Sequence, residues 1–279
     1  MESRKSKKKP PSTIKKFLRT PKGLVLIVMI ILALVDVAFN RHDVGGLLNA
    51  AVAMMVAFVL DLLVGMVYKR KRWFSDGGLV TGLIVALVLS SATPWYIVAA
   101  TTAIAILSKH ILKIGRKPIF NPAAFGLLVA VYVFGSMQSW WGGLSLLSAW
   151  WLVLLVASGL LVTKRVKKLP QVAAFLVSYF ILFFILSRFN VPFAADALTS
   201  PFVNSALFLA FFMITDPPTS PAKWIDQIGF GVIAALVTVG IYAIYGGLAY
   251  LLIGVMTANL LKTVKSVWVE YRMNRLLST

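Results

Sequence analysis

SDGGLVTGLIVALVLSSATP, residues 75–94, and DALTSPFVNSALFLAFFMITDPP, residues 196–218, are built alike. Each holds a short apolar run, Leu79–Leu89 in the first and Phe202–Ile214 in the second, framed by polar turn residues. At about 1.5 Å per residue such a run covers roughly 20 Å, short of a hydrocarbon core of about 30 Å. A pair of short, Gly/Pro-bounded membrane segments in matching positions of two halves points to a buried site between inverted repeats.

Composition sets the class. The 279 residues are 59% hydrophobic and 13% charged. The mean hydropathy is +0.88. These values exclude an ordinary soluble domain and indicate a polytopic membrane protein with one membrane domain. Cys is absent. The chain therefore supplies no disulfide, no thiolate-held iron–sulfur cluster and no Cys zinc site. A net charge of +19 would suggest nucleic acid in a soluble protein. Here the charge lies in short runs between apolar segments, so it is read as an orientation signal, with no nucleic-acid partner.

Ten membrane segments are predicted, at about 23–39, 47–68, 78–90, 95–112, 121–135, 144–162, 169–187, 201–214, 225–245 and 248–264. With the N-terminus in the cytoplasm, only Arg41 and Arg188 of the 28 Lys and Arg residues fall outside. Both termini are then cytoplasmic, and the chain lies in the cytoplasmic membrane among its lipids. Trp73 and Trp224 are expected at the cytoplasmic interface, and Trp95, Tyr96, Trp140 and Trp141 at the outer one. Trp150 and Trp151 are expected deeper, as packing residues. The segments divide into repeats at about 23–135 and 144–264, flanked by basic tails at 1–22 and 265–279. A repeat with an odd number of spans is inverted relative to its copy. The fold expected is all-α. The N-terminal stretch does not read as a signal peptide, because its basic part is long and its apolar run is long enough to span. Ile14, Phe17 and Leu18 suit either a short interfacial helix or a solvated tail.

Few residues can carry chemistry. Asp61 lies inside the second span, where a carboxylate is costly and faces either a cavity or a partner. It is a candidate for a cation or proton path, or a hydrogen-bonded structural group. Asp36, near the outer end of the first span, reads as structural. Asp76 suits a helix cap, and Gly78 and Gly82 form a small-xxx-small pair for close helix contact. Asn121 and Pro122 suit the cap and first turn of the fifth segment, whose exposed N–H groups favour an anion. Thr215-Asp216-Pro217-Pro218 ends the eighth segment, and Asp216 could hold a ligand polar group or a cation. His42 and His110 fall on opposite sides, which argues against a haem site. No dinucleotide fingerprint, phosphate loop, metal-ligand cluster or nucleophile–base pair stands out. The residues alone therefore leave two classes, a membrane transporter or a membrane redox subunit.

Four motifs in order carry a family resemblance. Ser75-Asp76-Gly77-Gly78-Leu79-Val80-Thr81-Gly82 resembles a first-repeat signature, and Phe120-Asn121-Pro122-Ala123-Ala124 an "FNPA" element. Phe211 to Pro221 resembles an "FFMATDPVTSP" element, and Tyr245-Gly246-Gly247 with Asn259 matches the last two helices. The chain resembles, over roughly residues 20–264, the RnfD/NqrB family. These are the RnfD membrane component of Rnf electron transport complexes and the NqrB component of the sodium-translocating NADH:quinone reductase. The resemblance implies a ten-helix inverted-repeat fold similar to urea transporters. It implies a subunit of an ion-translocating oxidoreductase that moves electrons across the membrane, coupled to sodium or proton movement. It also implies a non-covalent flavin, FMN or riboflavin, near Asp76, Thr81, Asn121, Thr215 and Asp216, with Asp61 on the ion path. The implied partners are other membrane subunits or a separate flavoprotein, and a cytoplasmic electron donor.

The chain departs from the family in one respect. Family members carry a covalent FMN on the threonine of an outer "SGAT" segment after the fifth helix. Only Ser136 to Gly143 separates the spans there, and no "SGAT" occurs. Asp196-Ala197-Leu198-Thr199-Ser200-Pro201-Phe202 is a loose look-alike with Phe202 at the acceptor position. No covalent FMN is expected. The alternative reading is a small-solute transporter or channel of the same fold without redox work.

Overall fold

The structure is a computed structural model that describes residues 20–40, 44–69, 77–145, 147–247 and 249–277. Asp76, Trp73, the basic run at 70–72, Arg41, His42 and the N-terminal residues 1–19 lie outside the described residues. Among the described residues, ten helices run in the order expected, with a two-stranded hairpin after the fourth. They are α1 (Pro21–Phe39), α2 (Val44–Val67), α3 (Gly78–Val88), α4 (Trp95–Ile111) and α5 (Pro122–Phe134) in the first half. The second half holds α6 (Trp151–Val166), α7 (Leu169–Arg188), α8 (Phe202–Phe208), α9 (Trp224–Tyr245) and α10 (Ala249–Leu277). The hairpin is β1 (Lys113–Ile114) and β2 (Lys117–Pro118), antiparallel. Helix α8 runs on through a π-helical turn, Leu209–Met213, closed by Ile214 N–H donating to the Leu209 carbonyl at 2.9 Å.

Five of these helices, α1, α2, α7, α9 and α10, are long and apolar enough to cross a membrane. α3, α4, α5 and α8 are shorter apolar helices. The rim is apolar. Ile31, Leu34, Phe58, Leu63, Val153, Ile181, Phe184 and Leu236 are all exposed, as the lipid-facing side of a spanning bundle requires. Thr101, Thr102, Thr163, Ser205 and Thr238 are turned inward and fully buried.

The two halves pack by the same plan. In the first, α2 packs on α3 and α4, α4 on α5, and α1 on α3; in the second, α7 packs on α9, α9 on α10, and α6 on α8. Across the halves α1 meets α6 and α5 meets α10. Close contacts repeat as well. A Cβ on Gly126 of α5 would lie 2.8 Å from the Thr101 carbonyl of α4, and one on Gly254 of α10 would lie 2.8 Å from the Ala234 carbonyl of α9. The Gly78–Gly82 pair does hold α3 against α2, since a Cβ on Gly82 would come within 2.7 Å of the Ala53 carbonyl.

Each short helix ends in backbone that cannot satisfy itself, and side chains supply the missing bonds. In the first half Asn49 of α2 donates to the carbonyls of Ser91 and Thr93 at 3.1 and 2.9 Å. In the second, Gln171 of α7 donates to the Ile214 carbonyl at 2.7 Å. Both amides are buried.

The connection between the halves differs from the expectation. α6 begins at Trp151 rather than near residue 144, and the stretch before it folds back over the bundle. Trp140 and Trp141, expected at the outer interface, are fully buried. Trp141 Nε1 donates to the Ala86 carbonyl of α3 at 2.7 Å, and the Trp140 ring meets Phe208 of α8 edge-on at 6.2 Å. A Cβ on Gly142 would collide with Leu87 at 2.7 Å and with Phe208 at 2.9 Å. Trp140 to Gly143 thus wedge between the ends of the two short helices. The edge there is satisfied by Ser139 and Trp140 N–H groups on the Val88 carbonyl, both at 3.1 Å, and by Asn204 on the Gly143 carbonyl at 2.8 Å. Trp150, expected to pack deeper, is 85% exposed, while half-buried Trp151 sits 4.5 Å from Phe39. At the other end of the chain, α10 continues unbroken through the expected tail to Leu277.

Candidate functional site

The wedge closes one end of the two short helices. At the opposite end, which carries Lys22, Lys109 and Lys168, they open into a cavity of about 420 Å³. That volume is in the range of small-molecule and cofactor sites. Its lining joins residues far apart in the chain: Gly77 and Thr81 of the first motif, Asn121 to Ala123 of the second, and Thr215 to Pro218 of the third. Val25, Val80, Ile84 and Phe212 supply apolar wall. Lys22, Lys109, His110, Lys113 and Arg116 supply a basic one. Of the predicted site residues, Thr81, Asn121, Thr215 and Asp216 therefore meet at one cavity.

These side chains are differently disposed. Thr81 and Thr215 each donate a hydroxyl to a carbonyl one turn back, Gly77 at 2.8 Å and Phe211 at 2.7 Å. Their oxygens keep acceptor capacity. Asn121 acts chiefly as a joint. Its Oδ1 caps α5 by accepting from Ala124 N–H at 3.1 Å, its Nδ2 donates to the Met213 carbonyl at 2.9 Å, and its own N–H donates to Asn259 Oδ1 at 2.8 Å. One residue so ties α5, α8 and α10 together.

Asp216 sits in the loop after α8, where its Oδ2 accepts from Thr219 at 2.9 Å. Burial raises its carboxyl above the usual range, opposed by the Thr219 hydrogen bond and by the charges of Lys22, Lys168 and Lys109. The loop is non-helical backbone at the bundle end, and side chains satisfy it. Lys168 donates to the Pro221 carbonyl, Asn259 to that of Thr219 at 3.1 Å, and Lys262 to that of Pro218 at 3.3 Å. Burial brings the Lys168 ammonium down to about 8, with Asp216 raising it and Lys262 lowering it.

Asp61 is buried on α2 behind the cavity wall. Lys109 of α4, which lines the cavity, places its Nζ 2.7 Å from Asp61 Oδ1, and His110 Nε2 lies 3.8 Å from the same oxygen. The Asp61 carboxylate also abuts Gly78, so a Cβ at the start of α3 would have to displace it. Asp36 is fully buried near the opposite end. In the sequence Lys22, Lys109, Lys113, Arg116 and Lys168 stand in the basic runs that signal orientation. Nothing in the spacing of Lys22, Lys109, Lys113 and Arg116 signals that these four line one cavity.

The sequence pattern of the NQR2, RnfD, RnfE family matches residues 7–145 and 142–270. The chain belongs to this family. The two matched stretches meet in the wedge between α5 and α6. Relatives in the NQR2, RnfD, RnfE family include proteins named as the D-type component of an ion-translocating oxidoreductase complex. The one from Pseudomonas paraeruginosa is 35% identical over 107 residues, 36% of this chain and 30% of the relative. That from Yersinia enterocolitica is 32% identical over 102 residues, 34% and 29% of the two chains. That from Mannheimia succiniciproducens is 29% identical over 124 residues, 42% and 35%. The similarity thus spans about a third of the length of these relatives.

Proposed function

We propose that this chain is a membrane subunit of an ion-translocating electron transport complex of the Rnf and Nqr type, and that it holds a non-covalent flavin in the cavity. The names of its relatives support the complex. The observation that carries the flavin reading is the convergence of Thr81, Asn121, Thr215 and Asp216, from three separate motifs, on one cavity with an apolar wall and a basic one. A flavin has a flat apolar ring system with polar edges, and those walls suit it. Bound there, it would supply the electron chemistry, and the protein would supply position and electrostatics.

The residues divide that work. Val80, Ile84 and Phe212 exclude water from the inner part of the cavity. Thr81, Thr215 and Asp216 offer acceptors and a carboxyl to polar edges. Lys22 and Lys109 favour negative charge. Asn121 holds the helices in register around them. In this reading the basic end and both termini are cytoplasmic. An electron donor docks on the basic connections there, and electrons leave at the wedge end to other membrane subunits, a separate flavoprotein or a quinone. Asp61, through Lys109, is the group that couples cation or proton movement to charge in the cavity. With no "SGAT" segment, the flavin is not attached to a threonine.

The test is the visible absorption and fluorescence of the detergent-purified protein before and after denaturation. Flavin is expected, and it should leave on denaturing. Asp216→Ala and Asn121→Ala should each lower flavin content several-fold. Unchanged flavin content and electron transfer in both variants would reject the site. The second reading, a small-solute transporter, draws on the cavity opening at one end of the two short helices while Trp140 to Gly143 close the opposite end of those helices. A colourless protein from a flavin-replete host would favour it.

A further inference from the structure

The basic wall is itself unevenly built. Val25, Ile84 and Phe212 are buried, whereas Lys113 and Arg116 are exposed and Lys22 is half-buried. Within, the cavity therefore sets this apolar patch beside the buried Thr81, Asn121 and Thr215, and it is cationic at its mouth. Lys113 and Arg116 are presented by the β1–β2 hairpin. Its turn has Gly115 at φ +59°, the backbone that a tight two-residue hairpin demands at its first central position, and Arg116 follows in the second. Lys113 is steadied over the Tyr68 ring, with its Nζ 5.2 Å from the centroid. Lys22 reaches from α1 to the start of α3, where a Cβ on Gly77 would lie 3.2 Å from its Nζ.

Among the described residues, charge does not balance at this mouth. Among the described lining residues, Asp216 is the one carboxylate against Lys22, Lys109, Lys113 and Arg116. Lys109 is held by Asp61. Lys22 acts on Asp216. Lys113 and Arg116 make no ion pair with any described carboxylate, which leaves about two positive charges for a ligand. The first turns of α3 and α5 also border the cavity, and helix starts add partial positive charge. A guanidinium and two ammonium groups around one opening match a phosphate monoester, which carries close to two negative charges and three acceptor oxygens.

We infer that Lys22, Lys113 and Arg116 form a phosphate-monoester subsite at the mouth of the cavity. The inference rests on the flavin reading for the rest of the ligand. Together they assign the flavin as its phosphorylated form, ring inward against Phe212 and Ile84, phosphate outward at the hairpin.

The test uses the full chain in detergent. Flavin released by denaturation is separated by chromatography, and FMN and riboflavin are each titrated into the flavin-depleted protein. The variants are Lys113→Ala with Arg116→Ala, on an exposed hairpin outside the bundle, and separately Lys22→Met. The wild type should release FMN. Each cation removed should weaken FMN binding by roughly tenfold or more, while riboflavin binding in the hairpin double variant changes by less than about twofold. Release of riboflavin alone, with binding unmoved by the double variant, would overturn the subsite and leave the flavin reading intact. If neither flavin binds, inorganic phosphate and phosphatidic acid vesicles are the next probes. Binding of either that is lost in the double variant would keep the subsite and overturn the flavin. Binding of none of the four would overturn both.

Discussion

Asp61 and Lys168 show how differently two buried charges are handled. Asp61 faces Lys109 at 2.7 Å, so the pair enters the interior together. Lys168 is buried with its ammonium on a neutral carbonyl and Asp216 further off, and burial lowers it to about 8. Its unfolded value is the ordinary lysine one, near 10.4. The native state therefore disfavours the ammonium, a cost present in full below about pH 8. The cost falls away as pH rises from there toward the ordinary lysine value. Thermal stability in detergent should accordingly gain a component that rises between about pH 8 and 10, and Lys168→Met should lack it. An identical pH profile in the variant would show that Lys168 is charged at no cost. At the same scale, Asn121 and Asp216 were legible as candidates at helix ends, and Thr81 and Thr215 through the family motifs that contain them. That Asn121 would join three helices was not legible, since its partners are 92 and 138 residues away.

At the scale of elements, the short helices α3 and α8 are what the turn residues around them predicted. Gly77-Gly78 and Pro94 bound one, and Pro201 and Pro217-Pro218 bound the other. Their seating depends on small residues. Gly82→Val would drive a branched side chain into the Ala53 carbonyl at 2.7 Å and the Ala57 methyl at 3.0 Å. The expected loss is about 1–3 kcal/mol, read as a lower midpoint of thermal unfolding in detergent. Gly240→Ala on α9 meets nothing within 4 Å and is the control. It should hold or raise stability by about 0.5–1 kcal/mol. Equal effects at both sites would mean that the α2–α3 contact is not tight. The wedge between α5 and α6 was misread for a definite reason. Trp140 and Trp141 beside a span end look like interface anchors in any sequence window. Their burial depends on the gap left by two helices that both stop short.

For the whole molecule, the segregation of basic residues to one end predicts orientation, and the absence of Cys makes it simple to test. Met137, 76% exposed near the wedge, and Ser266, exposed on the α10 extension, can each be made the sole cysteine. A membrane-impermeant maleimide should label Met137→Cys in intact cells, and Ser266→Cys only after permeabilisation. The reverse result would invert the topology and move the proposed electron donor to the other side. The correspondence of the halves also belongs to this scale. It shows in the paired helix contacts and in Asn49 and Gln171 serving equivalent backbone ends, with no matching residue run to announce it.

The class, the helix order, the two short helices and the end at which charge gathers are readable from the chain alone. Those depend on hydropathy, chain length and turn residues, all of which act locally. Long-range packing alone brings the two short helices to one cavity, seats Trp140 to Gly143 at the opposite end of those helices, and carries Lys113 and Arg116 on the hairpin to the cavity mouth. Those outcomes arise because groups distant in the chain must share buried backbone bonds and a small volume. Short-range pattern does not encode which of them will meet.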